Sequence, residues 1–330
     1  MTRISRKVIY ELARNGDRRL NDLNEERNLR SYTSTRMGIL QRLAEFRQLY
    51  TYQKRNIPGQ VKTLIERLQR ANNDVMAIGG RPFRDLDVLE IGPGQRFRQL
   101  SYFARFNRVI GIDLDELVQG VSLISLAKML RHNGPIRAIK TYGRRLLGID
   151  RAFEREMDNQ LGIRRPPRYD IRRMDAAQMA FPANSFDLIY SYSVFEHIPD
   201  CRKVLTEVKR VLRPGGCVYI SLHLYTSESG CHDPRIFAGK REMLPLWAHL
   251  RPQHASKVRP NAYLNKLRMK EWDSLFEECL PGVIIQHHKY GEWRLRPEIE
   301  KLRQSGELNS YEDEELLTTD YVALWRKPEQ

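Results

Sequence analysis

Glu90-Ile91-Gly92-Pro93-Gly94 follows the apolar run Asp87-Val88-Leu89, and this set of residue types can hold a nucleoside. In open α/β sheets, an acid at a strand end followed by a glycine turn is how such ligands are bound. Glycine allows unusual backbone angles and lets a ligand approach the main chain closely. A second acid, Asp113, closes the apolar run Val109-Ile110-Gly111-Ile112, 23 residues after Glu90. A carboxylate there can accept hydrogen bonds from both hydroxyls of a ribose. A dinucleotide-binding enzyme would share this feature, but Phe97 stands where the last glycine of Gly-x-Gly-x-x-Gly belongs, so no pyrophosphate cradle is expected.

Three histidines follow candidate strand ends on the same side: His197, His223 and His232. With an ordinary pKa of about 6.5, imidazole is suited to taking a proton from a reacting hydroxyl near neutral pH. Each has a structural alternative. His197 can serve its loop, and Asp233, beside His232, can cap a turn instead of orienting the ring. His287 and His288 lie in a candidate strand, where only one of two neighbours faces the core. No ligand spacing among these histidines supports a metal site, and none is expected. Cys201, Cys217, Cys231 and Cys279 are scattered without a Cys-x-x-Cys pair, so they read as reduced structural thiols.

The elements that must position these groups are visible as periodicity. From residue 86, short apolar runs alternate with amphipathic stretches, the pattern of a parallel sheet with crossover helices. The strand candidates are Asp87–Ile91, Arg108–Ile112, Tyr169–Arg173, Phe186–Tyr192, Cys217–His223, Val283–His288 and Tyr321–Arg326. Between the fourth and fifth, Val204, Leu205, Val208, Val211 and Leu212 form one helix face, with Asp200 as N-cap and Pro214-Gly215-Gly216 as the stop. Residues 1–80 read as a basic helical extension. Its stripes are Val61, Leu64, Ile65 and Leu68; Leu40, Leu43, Phe46 and Tyr50; and Ile4, Val8, Ile9 and Leu12. Residues 81–330 read as the main domain, with insertions at about 116–168, long enough for three helices, and 224–270. Tyr225, Trp247, Asn261, Tyr263 and Asn265 in the second insertion either face an acceptor or form a packed lid.

Four further motifs keep register with the first: Asp175-Ala176, Ser185-Phe186-Asp187-Leu188-Ile189-Tyr190, Phe195-Glu196-His197-Ile198-Pro199-Asp200 and Val211-Leu212-Arg213-Pro214-Gly215-Gly216. This series resembles the class I S-adenosylmethionine-dependent methyltransferases, especially the group that includes small-molecule, quinone and sterol methylating enzymes. The resemblance covers about residues 86–222 and returns in the final strands. It implies a Rossmann-like α/β fold with seven strands in the order 3-2-1-4-5-7-6, the seventh antiparallel, and S-adenosyl-L-methionine as cofactor. It further implies that Glu90, Gly92 and Gly94 surround the methionine portion and that Asp113 holds the ribose with Leu114 against the adenine. Asp175 would meet the adenine amino group beside Ala176, and Ser191 would lie near the methyl-bearing sulfur. One departure is Arg96, at a position where many members carry a third glycine.

The expected activity is O-methylation of a small molecule, glycan or lipid-linked saccharide. An RNA or protein methyltransferase, a cofactor-binding regulatory protein without turnover and a nicotinamide dehydrogenase are the alternatives. The formal charge is +15, and residues 1–85 carry 18 basic against 9 acidic side chains. Such an excess attracts nucleic acid, anionic lipid or phosphorylated substrates without choosing among them. No RNA-binding module is recognisable, so nucleic acid is the less favoured partner. No apolar run approaches the roughly 18 residues of a membrane span, and no signal-peptide core follows Met1. The expected location is cytoplasmic, with peripheral membrane contact open to the basic first helix. The oligomeric state is not legible.

Overall fold

The computed structural model describes residues 56–164, 167–237 and 244–329. The stripes at residues 4–12 and 40–50 lie outside the described residues. Seven strands form one sheet: β1 (Asp87–Ile91), β2 (Arg108–Asp113), β3 (Tyr169–Arg173), β4 (Phe186–Tyr192), β5 (Leu212–His223), β6 (Ile284–Lys289) and β7 (Thr318–Arg326). Their order is β3-β2-β1-β4-β5-β7-β6, as the resemblance implied. Strands β1 to β5 pair in parallel, whereas β7 runs antiparallel to both β5 and β6.

Buried strands with alternating side chains need cover on both faces. On one face α1 (Ile57–Ala77), α2 (Arg98–Phe103) and α5 (Ile149–Leu161) cover Val88, Val109, Leu188, Tyr190 and Tyr219. On the other, α6 (Cys201–Val211) and α7 (Met269–Cys279) cover Leu89, Ile91, Ile112, Ile189, Val218 and Ile220. The insertion after β2 holds the three expected helices, α3 (Leu123–Asn133), α4 (Pro135–Leu146) and α5. Arg105, its side chain fully buried, ties the end of α2 to α5 through Glu154 at 2.9 Å and Asp158 at 2.7 Å. A last long helix, α8 (Glu292–Gln304), packs Leu295 and Ile299 against Trp247, Leu316 and Leu317.

Two boundaries differ from the sequence reading. Val61, Leu64, Ile65 and Leu68 do form the buried stripe of α1, but that stripe shares one core with β1, β2, β4, β5 and β7. The sheet is therefore built upon part of what reads as an extension. Secondly, α6 ends at Val211 rather than at the Pro-Gly-Gly sequence. Leu212 already pairs with Phe186, and the Gly215 N–H donates to the Lys327 carbonyl at 2.9 Å, so Pro214-Gly215-Gly216 belongs to β5. Asp200 caps α6 as expected, accepting from the Lys203 N–H at 3.2 Å.

Candidate active site

The carboxyl ends of β1, β2, β4 and β5 form one edge, and the predicted site residues gather there in two groups. In the first, Glu90 is buried one residue before the end of β1, and its Oε2 has no hydrogen-bond partner among the described residues. The chain then turns. Gly92 adopts φ +74° and donates to the Ile112 carbonyl at 2.8 Å, which binds the turn to β2. A side chain at Gly92 would overlap Val194, whereas a Cβ on Gly94 would meet nothing within 4 Å. Gly94 thus lines an open space. Its N–H donates to Asp113 Oδ2 at 3.3 Å, while Asp113 Oδ1 accepts from the Asp115 N–H at 2.9 Å. These two bonds orient the Asp113 carboxylate at the end of β2.

Asp175 reaches the same place through the backbone, since the Met174 N–H donates to the Asp113 carbonyl at 2.9 Å. Asp175 Oδ1 accepts from the Ala177 N–H at 2.8 Å, and the Arg173 guanidinium donates to the Leu114 carbonyl at 3.2 Å. Asp113, Leu114, Asp175 and Ala176 are accordingly neighbours at the ends of β2 and β3. Ser191 is placed differently from a residue lining open space. It is fully buried within β4, and its hydroxyl donates to the Ile91 carbonyl at 3.1 Å.

The second group lies beyond β4 and β5. His197 closes a 3-10 turn, Phe195–His197; His223 ends β5; and His232 sits in the second insertion with φ +50°. The rings of His197 and His223 each lie 4.9 Å from that of His232. The fold thus brings all three together. His197 Nδ1 faces the Tyr263 carbonyl at 2.7 Å, and His223 Nε2 lies 3.1 Å from Ser227 Oγ and 3.0 Å from Ser229 Oγ. The fully buried Asp233 does not orient His232. It accepts from the Arg235 guanidinium at 2.9 and 2.6 Å and from the Arg259 N–H at 2.8 Å, which makes it the hub of a turn.

The carboxylate that does face His232 is Glu196, whose Oε1 lies 3.9 Å from His232 Nε2. The second insertion braces this group with its backbone and amides. The Asn265 N–H donates to the Glu196 carbonyl at 2.9 Å, Asn265 Nδ2 donates to Phe195 O at 2.8 Å, and the Asn261 N–H donates to His232 O at 3.2 Å. Trp247 is fully buried beside α8, and Tyr225 packs its ring on His249 at 5.0 Å. Trp247 and Asn265 therefore serve the packed lid.

A family model described as a methyltransferase domain matches residues 132–220. Over those residues the chain is similar to methyltransferase domains, and its strand order is the one that the resemblance to the class I S-adenosylmethionine-dependent enzymes implied. A sterol 24-C-methyltransferase of Gibberella zeae is 28% identical over 160 residues, covering 43% of this chain and 40% of the relative. A probable tocopherol O-methyltransferase of Oryza sativa subsp. japonica is 30% identical over 118 residues, covering 33% of this chain and 32% of the relative. The matched stretch thus spans 40% or less of the length of these two relatives. Among solved structures, phosphoethanolamine N-methyltransferase 2 of Haemonchus contortus in complex with S-adenosyl-L-methionine has 16% identity and a TM-score of 0.41, covering 79% of this chain and 53% of that one.

The first group suits a cationic, adenosine-bearing ligand. Burial pushes the Glu90 carboxyl up to about 8, and the Asp113 charge adds to the rise, while Arg67 opposes it. A positive ligand group beside Glu90 would relieve that penalty. Arg67, on α1, is a neighbour the sequence reading missed; its guanidinium lies 3.7 Å from the Tyr192 ring centre.

In the second group, burial is the main cause of depressed imidazole pKa values, with neighbouring histidines next. His223 falls to about 4 and His232 to about 2. These rings are neutral at physiological pH. Burial also pushes Glu196 up to about 8. In the sequence, the one signal that Glu196 carries is its adjacency to His197.

Proposed function

We propose that the chain methylates a hydroxyl of a small molecule, glycan or lipid-linked saccharide, with S-adenosyl-L-methionine as the methyl donor. The observation that carries this reading is the juxtaposition along one sheet edge of the Glu90–Gly94 and Asp113 group with the imidazoles of His197, His223 and His232. When bound, the cofactor supplies a methyl group activated on a sulfonium. The chain contributes geometry: Glu90 and the open face at Gly94 receive the cationic end, and Asp113 receives the ribose. Orienting two reactants can supply about 7 to 11 kcal/mol of a barrier. His197, His223 and His232 would stand beside the acceptor hydroxyl, where an imidazole would take its proton as the methyl group is received.

Two observations favour an acceptor with a lipid portion. The relatives named above act by name on a sterol and a tocopherol. In addition, Leu123, Ile124, Ile139 and Leu146 on α3 and α4 are 85%, 73%, 67% and 69% exposed. This apolar surface adjoins the glycine turn, because Arg144 of α4 donates to the Gln95 carbonyl at 2.7 Å. Exposed apolar side chains beside basic ones suit contact with a lipid surface. A cytoplasmic enzyme meeting its acceptor at a membrane surface follows from this reading. The chain's charge of +15 is the support for RNA as the second reading.

Incubation with methyl-labelled cofactor and fractionated host extract tests both. Label is expected in the lipid or glycan fraction, and label in RNA or protein would overturn the acceptor assignment. S-adenosylhomocysteine binding without label in any fraction would make the chain a cofactor-binding protein lacking turnover.

A further inference from the structure

We propose that Glu196, His197 and His232 form a binding site for a divalent transition-metal ion, with one carboxylate and two imidazoles as its protein ligands. Each offers a donor atom, and the three atoms lie within 4.8 Å of one another. Residues 196 and 197 come from the turn after β4 and residue 232 from the second insertion, so the fold, not sequence spacing, assembles the set.

Glu196 carries the strongest indication. Its side chain is 2% exposed, and its Oε2 has no hydrogen-bond partner among the described residues. A buried polar atom left unsatisfied is costly, and such atoms in native proteins call for an explanation such as an ion. A hydrogen bond between Glu196 and His232 is not the explanation. Their 3.9 Å separation exceeds hydrogen-bond distance. It is closer to the spacing of two ligands sharing one ion, since metal–ligand bonds of about 2.0 to 2.2 Å in tetrahedral array separate donors by about 3.4 Å. Closing the remaining distance requires shifts of about an ångström.

The imidazoles are prepared for ligation. With Nδ1 of His197 directed at the Tyr263 carbonyl, the hydrogen sits on Nδ1 and the lone pair on Nε2. A backbone carbonyl is a usual orienting partner for a metal-binding histidine. The backbone bonds from Asn265 to Glu196 and from Asn261 to His232 hold the two halves of the set against each other. Two imidazoles and a carboxylate suit zinc and the neighbouring first-row metals, and three protein ligands leave a position for an oxygen from outside. An oxygen bound there would be acidified, which would ease loss of the acceptor hydroxyl's proton. Assigning the open position to the acceptor rests on the methyltransferase reading; ion binding does not.

The test uses the full chain after chelator treatment, titrated with Co²⁺ and Zn²⁺ alone. One ion per chain is expected by calorimetry, with visible cobalt bands of a four- or five-coordinate site that Zn²⁺ displaces. His232→Ala and Glu196→Gln should weaken binding by about 100-fold, whereas His254→Ala, on the surface, should not. Less than one ion per chain, or undiminished binding in His232→Ala, overturns the site. X-ray absorption on zinc-loaded wild-type protein is independent of whether the variants fold. Two imidazole ligands are expected, and a spectrum without imidazole overturns the assignment. Cobalt binding at these residues without S-adenosylhomocysteine binding would remove the methyltransferase reading while supporting the metal site.

Discussion

Glu90 does two things that follow from one buried carboxyl. Its pKa lies near 8 against an ordinary 4.5. Below about pH 4.5 the group is protonated in both folded and unfolded chains and contributes nothing. Between about 4.5 and 8 the unfolded chain ionises while the folded one keeps its proton, so stability falls as pH rises through that window. Glu90→Gln removes this dependence, and the decline in Tm from pH 5 to 8 should be shallower in the variant than in the wild type. A cationic ligand favours the ionised carboxyl, so cofactor binding should release a proton and strengthen up to about pH 8. Calorimetry in two buffers of different ionisation enthalpy measures that release; equal heats would show that Glu90 does not face the positive end of the cofactor. Glu90, Gly92 and Asp113 were legible because strand-end acids and turn glycines follow a local rule. Glu196 was not, because its meaning depends on His232, which a 36-residue separation hides until the second insertion folds back.

At the scale of elements, the turn after β1 separates two glycines that look alike in sequence. Both have positive φ, +74° at Gly92 and +61° at Gly94, so alanine at either is strained by roughly 1 to 2 kcal/mol. Only at Gly92 would the added methyl also overlap Val194, and only at Gly94 would it project into open space. Gly92→Ala should therefore lose more stability than Gly94→Ala. Gly94→Ala should lose S-adenosylhomocysteine affinity by at least about tenfold while its Tm falls less than that of Gly92→Ala. Paired thermal melts and binding isotherms check this, and equal stability losses would mean that Val194 moves aside. The strands themselves were readable from apolar runs, within a few residues. The end of α6 was misread for a specific reason: Pro-Gly-Gly is a strong local stop signal, but pairing of Leu212 with Phe186 and of Gly215 with Lys327 ended the helix earlier.

For the whole molecule, the position of α1 decides where the domain begins. Helical periodicity identified the buried stripe correctly, yet no pattern within residues 57–77 says which surface that stripe covers. Leu68 is fully buried in the same cluster as Val88, Leu188 and Tyr219, so its removal should be felt by the sheet. All four tryptophans, Trp247, Trp272, Trp293 and Trp325, lie beyond residue 80, and their fluorescence reports only on the rest of the domain. Leu68→Ala should cost about 2 to 5 kcal/mol and move the urea midpoint seen by tryptophan fluorescence. Lys62→Ala, on the exposed face of α1 and paired with Glu66 at 3.9 Å, should change stability by less than about 0.5 kcal/mol. An independent helical extension would instead leave the tryptophan transition where it was in both variants. A shift confined to Leu68→Ala would mean that the cofactor edge rests on a core to which α1 belongs, and that the domain starts at or before Ile57 rather than at residue 81.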